Sequence, residues 1–129
     1  MCDVKTELET VVWKLNRVKE NAFLQSSGLM ESENSGYVLD VDDNAEKEGA
    51  LLFQTSWSGT FSQRWRFEKF KDFYLIRNIK SERVMTVKGK KSKDGSEIIQ
   101  DVELDSNHRH QLWSFEERGY HVYLIRLAS

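Results

Sequence analysis

Ser62-Gln63-Arg64-Trp65-Arg66-Phe67 and His110-Gln111-Leu112-Trp113-Ser114-Phe115 are two copies of one pattern, and they decide the fold. Each is followed by an aromatic-aliphatic run: Phe73-Tyr74-Leu75-Ile76-Arg77 after the first, Val122-Tyr123-Leu124-Ile125-Arg126 after the second. A weaker third copy opens the chain, with Val12-Trp13-Lys14-Leu15 and then Ala22-Phe23-Leu24-Gln25-Ser26. The three tryptophans stand 52 and 48 residues apart. A period in this range marks an internally repeated architecture.

The segments between the tryptophans match as well. Ser35-Gly36-Tyr37-Val38-Leu39-Asp40-Val41 aligns with Ser81-Glu82-Arg83-Val84-Met85-Thr86-Val87. Gly49-Ala50-Leu51-Leu52-Phe53-Gln54 aligns with Gly95-Ser96-Glu97-Ile98-Ile99-Gln100. Each unit therefore reads as about four short strands. The turns between them carry breakers: Asp42-Asp43-Asn44, Ser58-Gly59, Asp94-Gly95 and Asp105-Ser106-Asn107. One such unit cannot bury its own apolar side, so three are expected to assemble around a shared core. A threefold set of four strands closes into a barrel with a hairpin cap, which removes free sheet edges. The expected class is all-β. Three units of this length call for about 150 residues, and the chain has 129. The third unit is accordingly expected to be incomplete or irregular, unless the chain is a fragment.

One segment supports two readings. Leu8, Val11, Val12, Leu15 and Val18 fall at helical spacing within Lys5 to Phe23. The repeat register makes Trp13 to Val18 a strand, and that is the preferred reading.

Composition limits function. Nineteen basic and 21 acidic residues give a net charge of −2. This balance offers no basic footprint for nucleic acid. Lys88, Lys90, Lys91 and Lys93 form a local basic run that reads as a solvated loop. No apolar run is long enough to cross a bilayer, so no membrane insertion is expected. The single Cys2 cannot form an internal disulfide, and no apolar leader opens the chain. A cytoplasmic setting is the expectation, for one domain spanning residues 1–129.

The Gly-Ala-x-Leu-x-Gln strand followed by Gln-x-Trp, here Gly49 to Gln54 and then Gln63-Arg64-Trp65, resembles the ricin B-type lectin family. The second copy runs from Gly95 to Gln100 and then Gln111-Leu112-Trp113. The resemblance covers roughly residues 12 to 126. It implies a β-trefoil with pseudo-threefold repeats. It also implies a hexose site in each repeat, usually for galactose or N-acetylgalactosamine. An aspartate accepts hydrogen bonds from hydroxyls there, an aromatic ring covers the apolar sugar face, and an amide adds orientation.

Carried onto this sequence, the aspartate of the first unit is Asp40. The platform position falls on Thr55, and Trp57, two residues on, has the same strand parity and can take over stacking. Ser62 stands in for the amide before Gln63. Phe53 completes the candidate carbohydrate-binding set of Asp40, Phe53, Thr55, Trp57, Ser62 and Gln63. In the second unit the aspartate becomes Thr86, the platform Asp101 and the amide His110. One site is thus half intact and one lost. Gln63 and Gln111 carry both a donor and an acceptor, which suits them to tying down turn backbone.

Competing readings remain open at this level. Asp40 can instead cap the acidic turn after it. Trp57 beside Phe53 can serve as an apolar contact for a protein partner. His108 and His110 lack a completing ligand cluster, so no metal is expected. No nucleophile elbow, phosphate loop or zinc-protease motif occurs, so no cofactor and no enzymatic activity are expected. Two functions stay in play: a lectin module for a galactose-type glycan, or a trefoil scaffold for a protein partner, a second copy of the chain included.

Overall fold

The computed structural model describes residues 13–18, 27–41, 48–88, 97–104, 109–119 and 121–128. Among the described residues ten strands follow in order: β1 Trp13–Val18, β2 Ser27–Ser32, β3 Val38–Val41, β4 Leu52–Thr55, β5 Trp65–Phe70, β6 Phe73–Asn78, β7 Val84–Val87, β8 Ile98–Asp101, β9 Trp113–Gly119 and β10 Val122–Leu127. Short 3-10 turns at Phe61–Gln63 and Arg109–Gln111 precede β5 and β9.

The pairing closes a ring. β1 pairs with β2 and with β10, β2 with β5, β5 with β6, β6 with β9, and β9 with β10, all antiparallel. These six strands form the barrel. Hairpins β3–β4 and β7–β8 branch from β2 and β6 through single registers, Glu31↔Val38 and Arg77↔Val84. The hairpins meet at a bridge between Leu51 and Ile99. Of the third unit, β9 and β10 lie among the described residues. The architecture is a β-trefoil, as the repeat implied.

Trp13, Trp65 and Trp113 open β1, β5 and β9 and are fully buried. Their cross-strand partners are Ser32, Asn78 and Leu127, the last residues of β2, β6 and β10. They therefore occupy equivalent places. Around them pack Met30, Leu39, Val41, Leu52, Ile76, Met85, Val87, Ile98 and Ile125. Burial alternates along β1, with Trp13 inside, Lys14 exposed and Leu15 packed against the core. That period of two is a strand's, and it overturns the helical reading for Trp13–Val18. The rest of Lys5–Phe23 lies outside the described residues. The strand that pairs with β1 is Ser27–Ser32, with Trp13 opposite Ser32; Ala22–Ser26, expected as a strand, lies outside the described residues.

The bends after β2 and β6 are built alike. Gly36 N–H donates to Ser32 O and Glu82 N–H donates to Asn78 O, each at a positive φ of 78° and 62°. Glycine takes that backbone shape freely, whereas glutamate is strained there. Glu82→Gly is expected to stabilise the fold by about 0.5–1 kcal/mol, read as a higher midpoint in urea. A lower midpoint would refute the equivalence.

Candidate functional site

The site lies on the outer face of the β3–β4 hairpin. Leu39, Val41 and Leu52 point into the core. Strand alternation puts Val38 and Asp40 on the opposite face. Asp40 stands across from Phe53, and Val38 across from Thr55. Asp40, Phe53 and Thr55 thus share one surface. Asp40 is 5% exposed, and one carboxylate oxygen accepts the Val41 N–H at 2.6 Å. Among the described residues its other oxygen has no hydrogen bond. Phe53 is 37% exposed and Thr55 half-buried.

The loop after β4 carries Trp57, 43% exposed. Gln63 fixes that loop. Its Oε1 accepts the Ser58 N–H at 2.8 Å, and its Nε2 donates to Ser56 O at 2.9 Å. Both backbone neighbours of Trp57 are therefore tied to one fully buried amide. The Ser62 hydroxyl pairs with Thr60 Oγ1 at 3.1 Å, and its carbonyl accepts from Asn78 Nδ2 at 2.9 Å. Ser62 and Gln63 are both wholly buried and hold the loop from beneath.

A further contact was not foreseen from the sequence. The Arg64 guanidinium lies over the Trp57 ring at 5.8 Å and over the Phe61 ring at 4.9 Å. Cation–π attraction of this kind favours one orientation of the indole. The available signal was the middle residue of Gln-x-Trp. It is Arg64 in one copy and Leu112, buried with Leu75 and Val84, in the other.

The second unit repeats the frame and loses the surface. Gln111 accepts from Leu104 N–H at 3.0 Å and donates to Val102 O at 2.7 Å, as Gln63 does around Trp57. Here the residue between is Glu103, which pairs with Arg77. Thr86 replaces Asp40; its hydroxyl donates to Val84 O at 2.9 Å and accepts from Gln111 Nε2 at 3.3 Å. By the same symmetry Asp40 sits beside Gln63. Ile99, in the place of Phe53, is buried.

Arg77 closes that second surface with charge. It grips Glu68 at 2.9 Å through both Nε and Nη2, and Arg66 adds a bond to Glu68 at 2.6 Å. Burial works against the Glu68 charge, but the hydrogen bonds and charges of Arg77 and Arg66 outweigh it and hold its carboxyl below the usual value. Glu68 and, foremost, its hydrogen bond raise the Arg77 pKa further, against burial. His108 lies outside the described residues, and among the described residues no group of three metal-ligating side chains converges.

The family model for ricin-type β-trefoil lectin domain-like sequences matches residues 10–101. No curated protein matches the chain in sequence. Among solved structures, an exo-β-1,3-galactanase from Clostridium thermocellum superposes with a TM-score of 0.69 at 28% identity, over 92% of this chain and 22% of that one. The chain thus spans about a fifth of the galactanase. The designed threefold-symmetric protein ThreeFoil gives a TM-score of 0.69 at 22% identity, over 91% of this chain and 71% of its own. A Polyporus squamosus lectin bound to a human-type influenza-binding epitope gives 0.65 at 16%, over 79% and 34%. The last two likenesses speak to the fold alone. With the family model spanning most of the described barrel and both hairpins, the chain belongs to the ricin-type β-trefoil lectin domain-like family.

Proposed function

We propose that the chain is a carbohydrate-binding module for a galactose-type sugar, with its site in the first unit. The observation that carries this reading is the state of Asp40. Among the described residues one of its carboxylate oxygens has no hydrogen bond, on a face shared with exposed Phe53, while its counterpart Thr86 makes two internal bonds. Asp40 accepts bonds from adjacent hydroxyls. Trp57 supplies the ring that Thr55 lacks. Ser62 and Gln63 set the loop that borders the site. The sugar class is supported by the family and by the likeness to an exo-β-1,3-galactanase. A shallow site of this kind binds weakly by itself.

Hydrogen bonds to a charged acceptor contribute about 1.5–3 kcal/mol, so Asp40→Ala is expected to weaken binding roughly tenfold or more. Galactose, N-acetylgalactosamine and lactose titrated against amide chemical shifts provide the measurement. If none perturbs Asp40 and Trp57 at millimolar concentration, the lectin reading is wrong. One observation favours a second reading as a protein-binding scaffold: Tyr37, Phe53, Trp57 and Phe61 are all exposed large apolar side chains of the first unit.

A further inference from the structure

We propose that Arg64 is a positioning residue of the sugar site: its guanidinium, set over the rings of Trp57 and Phe61, fixes the direction of the Trp57 indole before a sugar arrives. The proposal rests on the sugar-binding reading above and adds the residue that prepares its platform.

The backbone at Trp57 is tied to the surroundings of Asp40. Gln111 bonds to Thr86 and to the two backbone groups that flank Glu103. Gln63 makes the same pair of backbone bonds around Trp57, at Ser56 and Ser58, and Asp40 is the counterpart of Thr86. Those bonds hold main chain alone. They leave the side-chain torsions of Trp57 open, and an indole can take several staggered directions from one backbone position. At 43% exposure the core does not choose among them. A platform works only with its face against the sugar, and a side chain that must be ordered on binding costs affinity.

Arg64 supplies the choice. It leaves a fixed stretch of backbone, since Ser62, Gln63 and Trp65 around it are fully buried. Its N–H donates to Phe61 O at 3.1 Å, and its carbonyl accepts the Ile79 N–H at 3.0 Å. From that base the guanidinium lies 5.8 Å from the Trp57 ring centroid and 4.9 Å from that of Phe61. Cation–π attraction to both rings joins the loop after β4 to the 3-10 turn through one side chain. Arg64 and Trp57 also change together between the copies. Leu112 and Glu103 stand in their places; Leu112 packs with Leu75 and Val84, and Glu103 pairs with Arg77. The copy without the platform ring is also without the cation that would aim it.

The full chain, labelled with 5-fluorotryptophan, gives one fluorine signal for each of its four tryptophans, and Trp57→Ala identifies that of Trp57. Galactose and N-acetylgalactosamine are titrated against amide shifts. Arg64→Leu, which matches the other copy, is expected to weaken binding about three- to tenfold. It should also move the ligand-free Trp57 signal while the signals of buried Trp13 and Trp113 stay in place. Arg64→Lys, which keeps a cation near the rings, should recover part of both effects. In the Trp57→Ala background Arg64→Leu should no longer change affinity. An equal loss with and without the indole overturns the proposal, because Arg64 then meets the sugar directly. So does an Arg64→Leu chain with wild-type affinity and an unmoved Trp57 signal, because the indole is then aimed without it. Either result leaves the lectin reading standing. If neither sugar binds the wild-type chain, the lectin reading falls and the positioning role falls with it.

Discussion

Trp65→Ala and Trp113→Ala are each expected to destabilise the fold by about 3–5 kcal/mol. Both indoles are fully buried in the central cluster. Each also does a second job. Trp65 Nε1 donates to Leu39 O at 3.2 Å, and Trp113 Nε1 donates to Met85 O at 3.0 Å. Leu39 and Met85 are the second residues of β3 and β7, so each tryptophan joins the start of a barrel strand to the preceding hairpin. Alanine removes the ring, opens a cavity and leaves a hairpin carbonyl without its donor. The two costs fall in the same place and are similar in both units, because the geometry repeats. A chain of this size shifts its melting midpoint by several degrees per kcal/mol, so a drop of more than ten degrees is expected. Trp57→Ala is the internal comparison: its side chain is largely outside the core and its melt should move far less. Melting points of Trp65→Ala and Trp113→Ala within a degree of wild type would rule out the core assignment.

The trefoil was legible because symmetry makes core residues repeat in identity. Three equivalent barrel positions demand three large rings, and Trp13, Trp65 and Trp113 supply them. The hairpin register was readable for the same reason. Asp40↔Phe53 and Thr86↔Ile99 are the same pair in two copies, and flanking Leu39, Val41, Met85 and Val87 are alike because all face one core. The strand that pairs with β1 was not singled out, because Ser27-Gly28-Leu29-Met30-Glu31-Ser32 lacks the aromatic start of Phe73-Tyr74 and Val122-Tyr123. Pairing of Leu15 with Met30, a core residue, fixes β2 in space.

The candidate site was less readable because outward-facing residues carry no packing period. Asp40 could be found, since the family pattern puts a carboxylate there. The stack of Arg64 with Trp57 and Phe61 joins a loop tip, a 3-10 turn and the residue before β5, at separations that match no helix or strand repeat. Likewise, Arg77 reaches Glu68 across a hairpin and Glu103 in the loop after β8. Only comparison of the two copies, Arg64 with Leu112 and Trp57 with Glu103, signals that the units have diverged in purpose. Buried Gln63 and Gln111 did not diverge, and they test how far frame and function separate.

Gln63→Leu and Gln111→Leu are expected to destabilise the fold to a similar extent, about 2–4 kcal/mol, while only Gln63→Leu abolishes the Trp57 platform. Leucine matches glutamine in bulk but can neither accept from Ser58 N–H nor donate to Ser56 O. Two backbone groups are left without partners, at about 1–3 kcal/mol each where water cannot enter. The same holds for Leu104 N–H and Val102 O around Gln111. Gln63→Glu separates the two bonds. Its carboxyl can still accept from Ser58 N–H, but it must be protonated to donate to Ser56 O. Burial and that carbonyl should raise its pKa in the folded state above the usual value of about 4.3. The folded state then holds the proton more tightly than the unfolded one. Stability is therefore full below about pH 4.3 relative to the wild-type curve and declines as pH rises through the raised folded pKa. Urea midpoints across this range, with Trp57 fluorescence recorded in parallel, give the measurement. A Gln63→Glu variant as stable at pH 7 as at pH 4, relative to wild type, would show that the bond to Ser56 O does not hold the loop. If Gln63→Leu melts early yet keeps the wild-type Trp57 emission, Arg64 alone fixes the indole and Gln63 serves only the frame.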